Sequence, residues 1–387
     1  MKNTAFQNTL CKWRHELHEH PEIAGEEAWT AAFVAEKLTN MGIDVASRIG
    51  GNGVVGTLNG TRAGMTIGLR ADMDCLAMQE LTGLPYKSKI ANRMHACGHD
   101  GHMAMLLGAA KLLSDNNDFS GTVRFIFQPA EEPGKGAPAM VADGLFEKFP
   151  CDEVYGIHNA PYQPFGTIFT RIGGFQAAED NFTIRIIGHG GHASRPQHTV
   201  DPLAVFSELY LAIQTIVSRN AIPTNAIVIS CTEIENDGVH NAIPNYVVVR
   251  GDVRTYSSED SAMVEDRMRT LAEHICEMNG AKCEFHYTRE FLAVVNDKSC
   301  TLKATAAAKK YFGESNVNDN APPCTGSEDF SAFTQLVPGC FMNLGTQTSE
   351  KNGFVLHTPT FDFNDDILIY GSEFWNTLVR EILKENP

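Results

Sequence analysis

The 387-residue sequence has no run of about 18 apolar residues, so no membrane-spanning helix is expected. Basic charge is in short supply. Lys and Arg number 31 against 47 Asp and Glu, a formal net charge of −16. That argues against a nucleic-acid partner, because no cationic surplus exists to neutralise phosphates. CxxC-type spacing is missing too: ten cysteines are scattered through the chain. In a chain of this length without an export signal they read as reduced and mostly buried. The start, Met1-Lys2-Asn3-Thr4, leads into a mixed, charged stretch rather than an apolar core. No signal peptide is therefore expected, and a cytoplasmic location follows. No internal repeat or low-complexity segment is visible. The length exceeds one ordinary hydrophobic core, so two domains are expected.

What the sequence does have is concentrated in one stretch. Met94-His95-Ala96-Cys97-Gly98-His99-Asp100-Gly101-His102 packs a thiol, three imidazoles and a carboxylate into nine residues. The run Met103 to Leu113 follows, rich in the helix formers Ala, Leu and Met. The polar cluster is thus expected on a loop that opens a helix. A helix N-terminus lowers a thiol's pKa and favours thiolate. Cys97 and His99 are two apart, so a tight turn can aim both at one ion. On this stretch alone three readings stay open: a metal site, a cysteine nucleophile, or a glycine-rich loop with incidental histidines.

Along the chain, Phe6 to His18 reads as a helix ended by Pro21, and Glu26 to Met41 as an amphipathic helix capped at Gly42. Val45 to Leu58 suggests strands around glycine turns. Met65 to Leu69 is a short apolar run ending in Arg70-Ala71-Asp72-Met73-Asp74. Thr122 to Phe127, β-branched and aromatic, reads as a buried strand. It stops at Gln128-Pro129-Ala130-Glu131-Glu132-Pro133-Gly134. Val154 to Ile157 runs into His158. Cys340 to Leu344 precedes a loop containing His357, and Asp365 to Leu383 is the last helix. Asp74, Glu131, Glu132 and His158 each fall at the C-terminal end of an expected strand. In open α/β sheets, sites form outside those ends.

Of the adjacent carboxylates Glu131 and Glu132, one can ligate a metal while the other faces a metal-bound water as general base. Cys97, His99, Glu132, His158 and His357 offer five ligands of mixed sulfur, nitrogen and oxygen type. That number suits two ions sharing a bridge better than one closed structural site.

Between about residues 179 and 291 the pattern changes. Phe182 to Ile186 alternates as a half-buried strand should. Asp201 to Ser218 reads as a helix, Ala226 to Ile234 and Tyr246 to Thr255 as strands, Glu259 to Met278 as a helix and Lys282 to Tyr287 as a strand. That βαββαβ order is the split ferredoxin-like unit. The expected organisation is α/β: a catalytic domain in two parts, 1–178 and 292–387, with an inserted domain at 179–291.

The motifs resemble those of the M20 metallopeptidases, within them the amidohydrolase branch of hippurate hydrolase, bacterial aminoacylases and plant auxin-conjugate hydrolases. The anchors are His20-Pro21-Glu22, Arg70 to Asp74, Met94 to His102, Gln128 to Glu132, Gly190-Gly191-His192-Ala193, Asn241-Ala242-Ile243-Pro244, Gly326-Ser327-Glu328-Asp329-Phe330, and His357 with Phe361 to Asp365. The resemblance spans nearly the whole chain. It implies a metallopeptidase-type catalytic domain with a mixed sheet flanked by helices, plus an inserted dimerisation or lid domain. It makes Cys97, His99, Glu132, His158 and His357 the metal ligands, with Cys97 as bridge. Glu131 becomes the catalytic base and Asp74 a carboxylate that orients a ligand. His192 matches a histidine that reaches a neighbouring subunit's site and holds the oxyanion. Asn241 and Arg254 match residues at the substrate end. Ala77 departs from a usual proline, and Pro133-Gly134-Lys135 from a more glycine-rich loop; both bear on acyl preference.

The resemblance thus implies a metal-dependent amidohydrolase that splits N-acyl amino acids of hippurate or N-acetyl type. It implies two divalent ions per subunit, Zn or Mn with Co or Ni possible, and a homodimer or higher homo-oligomer. Rival readings are a dipeptidase or N-acyl-diaminopimelate deacylase with the same site, a ligand sensor on an inactive scaffold, and a cysteine hydrolase built on Cys97.

Overall fold

The computed structural model describes residues 4–348 and 355–384; the chain start Met1 to Asn3 lies outside them. Two compact units emerge. The larger comprises Met1–Phe175, Val295–Pro322 and Asp329–Pro387; the smaller comprises Gln176–Val294 and Pro323–Glu328.

The larger unit is built on an eight-stranded mixed sheet. Its order is Asp44–Ile49, Gly53–Asn59, Ser120–Gln128, Arg62–Asp72, Glu153–Pro164, Gly339–Gln347, Ile168–Phe169 and Val317–Asn318. The four central strands, from Ser120–Gln128 to Gly339–Gln347, run parallel. Parallel strands are covered on both faces and read as apolar runs. Val123, Phe125, Ile67, Leu69, Met342 and Leu344 are accordingly buried. The helix His99–Asp115 is buried nearly all round, as a core helix must be. It packs against Leu368–Ile382 and Thr4–Glu19. A Cβ on Gly371 would lie 2.0 Å from Met105 Sδ, so glycine permits that crossing.

The sequence expectations for the helices hold to within a few residues: Thr4–Glu19, Ala28–Asn40 and Leu368–Ile382, the last preceded by one 3-10 turn. One placement differs. His158 lies inside the strand Glu153–Pro164, not at its end, because pairing with Gly339–Gln347 carries the strand onward.

The smaller unit has the order βαββαβ. Its antiparallel sheet runs Val228–Asn236, Tyr246–Thr255, Ala178–Ile187, Lys282–Phe291. The helices Pro202–Thr215 and Ser258–Met278 contribute Leu209, Ile213, Val264 and Met268 to a core with Phe182, Ile184, Ile186, Val249 and Val253. Asp201 and Ser257 cap the two helices through their side chains. The first helix ends at Thr215 and continues as a π turn, Ile216–Asn220, where the sequence suggests regular helix to Ser218. Segment 323–328 joins this unit through Ala177 N to Gly326 O (3.0 Å) and Arg254 Nη1 to Ser327 Oγ (2.7 Å). Among the described residues, no helix is long and apolar enough to cross a membrane.

Candidate metal centre

The site grows from Asp74, buried just beyond the strand Arg62–Asp72. Its Oδ1 accepts the Glu131 N–H (3.0 Å) and its Oδ2 the Glu132 N–H (3.0 Å). Its backbone carbonyl lies 2.8 Å from His99 Nδ1. One residue therefore orients the imidazole and both glutamates. With Nδ1 directed at the carbonyl, His99 turns its Nε2 towards the site, the arrangement of a metal-binding imidazole. That Nε2 is buried without a hydrogen-bond partner, as is Glu132 Oε1.

Gly98 adopts φ +99 and caps the helix His99–Asp115, so the turn expected between Cys97 and His99 forms. Cys97 Sγ lies 3.3 Å from both His158 Nε2 and His357 Nε2. His158 Nδ1 is 2.8 Å from the Asn159 carbonyl, leaving Nε2 for the site. His357, on its loop at φ +60, is tied by its backbone N–H to Ala96 O (2.9 Å). Glu132 Oε1 stands 3.6 Å from His357 Nε2 and 3.9 Å from His99 Nε2. Two of the donor groups among the described residues share Cys97: Cys97, His99 and His158, and Cys97, Glu132 and His357; a further group joins His99, Glu131 and Glu132. Within each, the ligand atoms lie within 4.8 Å of one another.

The electrostatics differ from the expectation of an activated thiol. Burial, reinforced by Glu132, pushes the Cys97 thiol well above its ordinary value. Burial also raises Glu132. The helix N-terminus does not prevail, because Cys97 is enclosed with two carboxylates as neighbours. A divalent cation bound here would supply the missing charge, with His99 Nε2 and Glu132 Oε1 among its ligand atoms. The residues present therefore fit a metal.

A layer of polar groups that sequence reasoning left without roles supports the donors. Asp72 Oδ1 lies 2.6 Å from His102 Nδ1. Burial works against its charge, but His99, His102 and Arg70 outweigh it and hold the carboxyl well below its ordinary range. Arg70 is buried and reaches Gln128 (2.8 Å), Asp72 (2.7 Å) and Asp329 (3.3 Å). His99 and His102, three apart on one helix face, were a readable signal. Behind the same helix turn, Asp100 takes His18 Nδ1 (2.7 Å) and Arg14 Nη1 (3.3 Å). Burial opposes the charge on His18, yet Asp100 and Glu80 raise its pKa to about 9.

The candidates in the smaller unit are placed differently. His192 and Asn241 are exposed on neighbouring short segments: His192 pairs with Ala242, and Ala193 N donates to Asn241 O (3.0 Å). The Ser194 backbone N–H donates to His192 Nδ1 (3.1 Å), so the neutral ring carries its proton on Nε2. Arg254 is held by Glu179 (2.8 Å) and Asp252 (3.0 Å).

A carboxylate pair, one buried and one half-buried, beside a shared thiol and just past the C-terminal ends of central parallel strands suits a hydrolase of the two-metal type. The family model "Peptidase family M20/M25/M40" matches residues 68–381, and the chain belongs to that family. Within it the chain falls in the amidohydrolase branch and is a metal-dependent amidohydrolase. It is 39% identical to a hippurate hydrolase of Campylobacter jejuni over 379 residues, 98% of each chain. It is 37% identical to an N-acetyl-L-cysteine deacetylase of Bacillus subtilis over 384 residues, 99% of this chain and 90% of the relative. A solved Bacillus subtilis structure, described as a dinuclear metal-binding peptidase of the M20 family, superposes with TM-score 0.86. It is 32% identical, with 99% of each chain covered. These likenesses support two divalent metals.

Proposed function

We propose that the enzyme hydrolyses N-acyl amino acids of hippurate or N-acetyl type. The observation that carries this reading is the sharing of Cys97 by two donor sets, with Glu131 hung from the same carboxylate that orients His99 and Glu132. In this reading Cys97, His99, Glu132, His158 and His357 hold two ions, Zn or Mn in preference to Co or Ni. Bound there, the ions supply Lewis acidity to the scissile carbonyl and lower the pKa of water. Glu131, not needed as a ligand, accepts a proton from the attacking water and returns it to the leaving amine. His192, with its Nε2–H outward, donates to the developing oxyanion from a partner subunit in a homodimer. Asn241 and Arg254 receive the substrate's carboxylate end. Ten cysteines without a disulfide among them accord with a cytoplasmic setting.

The test is a panel of N-acyl amino acids and dipeptides, with metal analysis of the same preparation. Turnover of hippurate or N-acetyl amino acids, abolished by a chelator and restored by a divalent ion, supports the reading. Preference for dipeptides or N-acyl-diaminopimelate reassigns the substrate. Activity that survives chelation but not thiol alkylation overturns the metal mechanism.

A further inference from the structure

We infer that Glu27 is a positioning residue for Glu131, acting through the backbone turn at Ala130. This deepens the reading above and rests on Glu131 being the general base. Glu27 stands directly before the helix Ala28–Asn40, the position from which a side chain can cap its own helix. Here it makes no capping bond. Glu22 does that work, accepting from Trp29 N (3.2 Å) and from Thr30 N (2.8 Å) and Oγ1 (2.9 Å).

The Glu27 carboxylate is fully buried and directed elsewhere. Its Oε1 accepts from Ala130 N (2.8 Å) and Gly25 N (2.9 Å), and its Oε2 from Asn52 Nδ2 (2.9 Å). Ala130 sits at φ +50, a left-handed conformation that few residues with a Cβ adopt unless held there. Its carbonyl accepts from Lys135 N (3.2 Å) and Gly136 N (2.9 Å), which closes the loop. A Cβ on Gly136 would fall 1.5 Å from Pro129 O, so that closure requires glycine.

Both polar groups of Ala130 are thus pinned, and the next residue is Glu131. Two buried carboxylates fix the direction in which Glu131 leaves the backbone: Glu27 through the preceding amide, Asp74 through its own. Cys97, His99, His158 and His357 lie on other segments than the Ala130 turn, and Glu132, two residues past Ala130, keeps its own amide bond to Asp74 Oδ2 (3.0 Å). Losing Glu27 therefore displaces the base, the residue next to Ala130, more than the donor set.

The experiment compares Glu27→Ala and Glu27→Gln in the full-length, metal-loaded enzyme. Glu27→Ala is expected to keep wild-type metal content and a KM within about threefold, while kcat falls about 10- to 100-fold, the scale of a misplaced reacting group. Glu27→Gln, which retains an acceptor for Ala130 N–H, recovers most of that loss. Should Glu27→Ala not fold, Glu27→Asp carries the same test, keeping the charge but one methylene short. A kcat within threefold of wild type at full metal content overturns the inference. So does a loss that merely tracks missing metal. Undiminished turnover by Glu131→Gln would instead sink the base assignment itself, which separates the two failures.

Discussion

The two groups of candidate residues sit in opposite physical settings. In the larger unit, Cys97, His99, Asp74 and Glu131 are buried, and Asp74 ties three of the site's residues together. In the smaller unit His192 and Asn241 are exposed, and Arg254 already shares its charge with Glu179 and Asp252. A buried donor set is preorganised: the fold has met the cost of desolvating it, and a cation resolves the remaining unfavourable charge states. An exposed histidine with a fixed tautomer is prepared in direction alone. Its contribution depends on what it meets. Substitutions at the donors and at Asp74 should therefore act through metal and rate together, a substitution at Glu131 through rate alone, and those in the second group through rate or substrate selectivity with metal unchanged.

The largest expected break is at Asp74. Asp74→Asn keeps the volume but cannot accept both glutamate amides. Metal affinity should fall about 10- to 100-fold, as when an orienting carboxylate is lost. Titration of the apo-protein with Zn or Mn measures this, and wild-type affinity would mean the donors are held by packing alone. Next is His192→Ala, which should lower kcat by about 10²-fold at full metal occupancy, the size of a lost oxyanion donor. Mixing His192→Ala with Glu131→Gln subunits tests action across a dimer. Recovered activity supports it; none, after verified subunit exchange, counts against it.

Arg254→Ala should have a smaller effect because two carboxylates already engage the guanidinium. About 1.5 kcal/mol on kcat/KM is expected for free-acid substrates. The loss should shrink when the substrate carboxylate is amidated; equal losses on both would remove Arg254 from the carboxylate's neighbourhood. The smallest effect concerns stability. His18 has its pKa raised to about 9 in the fold, against about 6.5 unfolded. A raised value means its stabilisation is complete below about pH 6.5 and is lost as pH rises through about 9. The Tm of wild type should decline over that window more than that of His18→Asn. Parallel curves would show that the pair with Asp100 does not govern alkaline stability.

The same contrast explains what was readable. Cys97 and His99 were legible because a two-residue spacing and a following apolar run specify a local turn and helix. The strand Ala178–Ile187 was legible from the alternation of Phe182 to Ile186, and the βαββαβ order from the strands and helices that follow it. Glu27 was not, because its purpose lies in a contact with the Ala130 amide, a pairing that no local period encodes. Asp72 and His102 lay inside recognised motifs, yet their pairing appears only once strand and helix are folded together. His158 seemed to end a strand because its apolar run stops there; backbone pairing with Gly339–Gln347 continues past it. Segment 323–328 joined the smaller unit through contacts with Ala177 and Arg254, far away in sequence.

The division of labour between Glu131 and Glu132 is the centre of the account, and one paired measurement tests it most directly: bound metal and kcat for Glu131→Gln and Glu132→Ala, assayed on the same preparations. Glu131→Gln should retain both metals and lose at least about 10²-fold in kcat, the usual size of a lost general base, while Glu132→Ala should lose metal. Full metal in Glu132→Ala with depletion in Glu131→Gln would contradict the assignment and reverse the two roles.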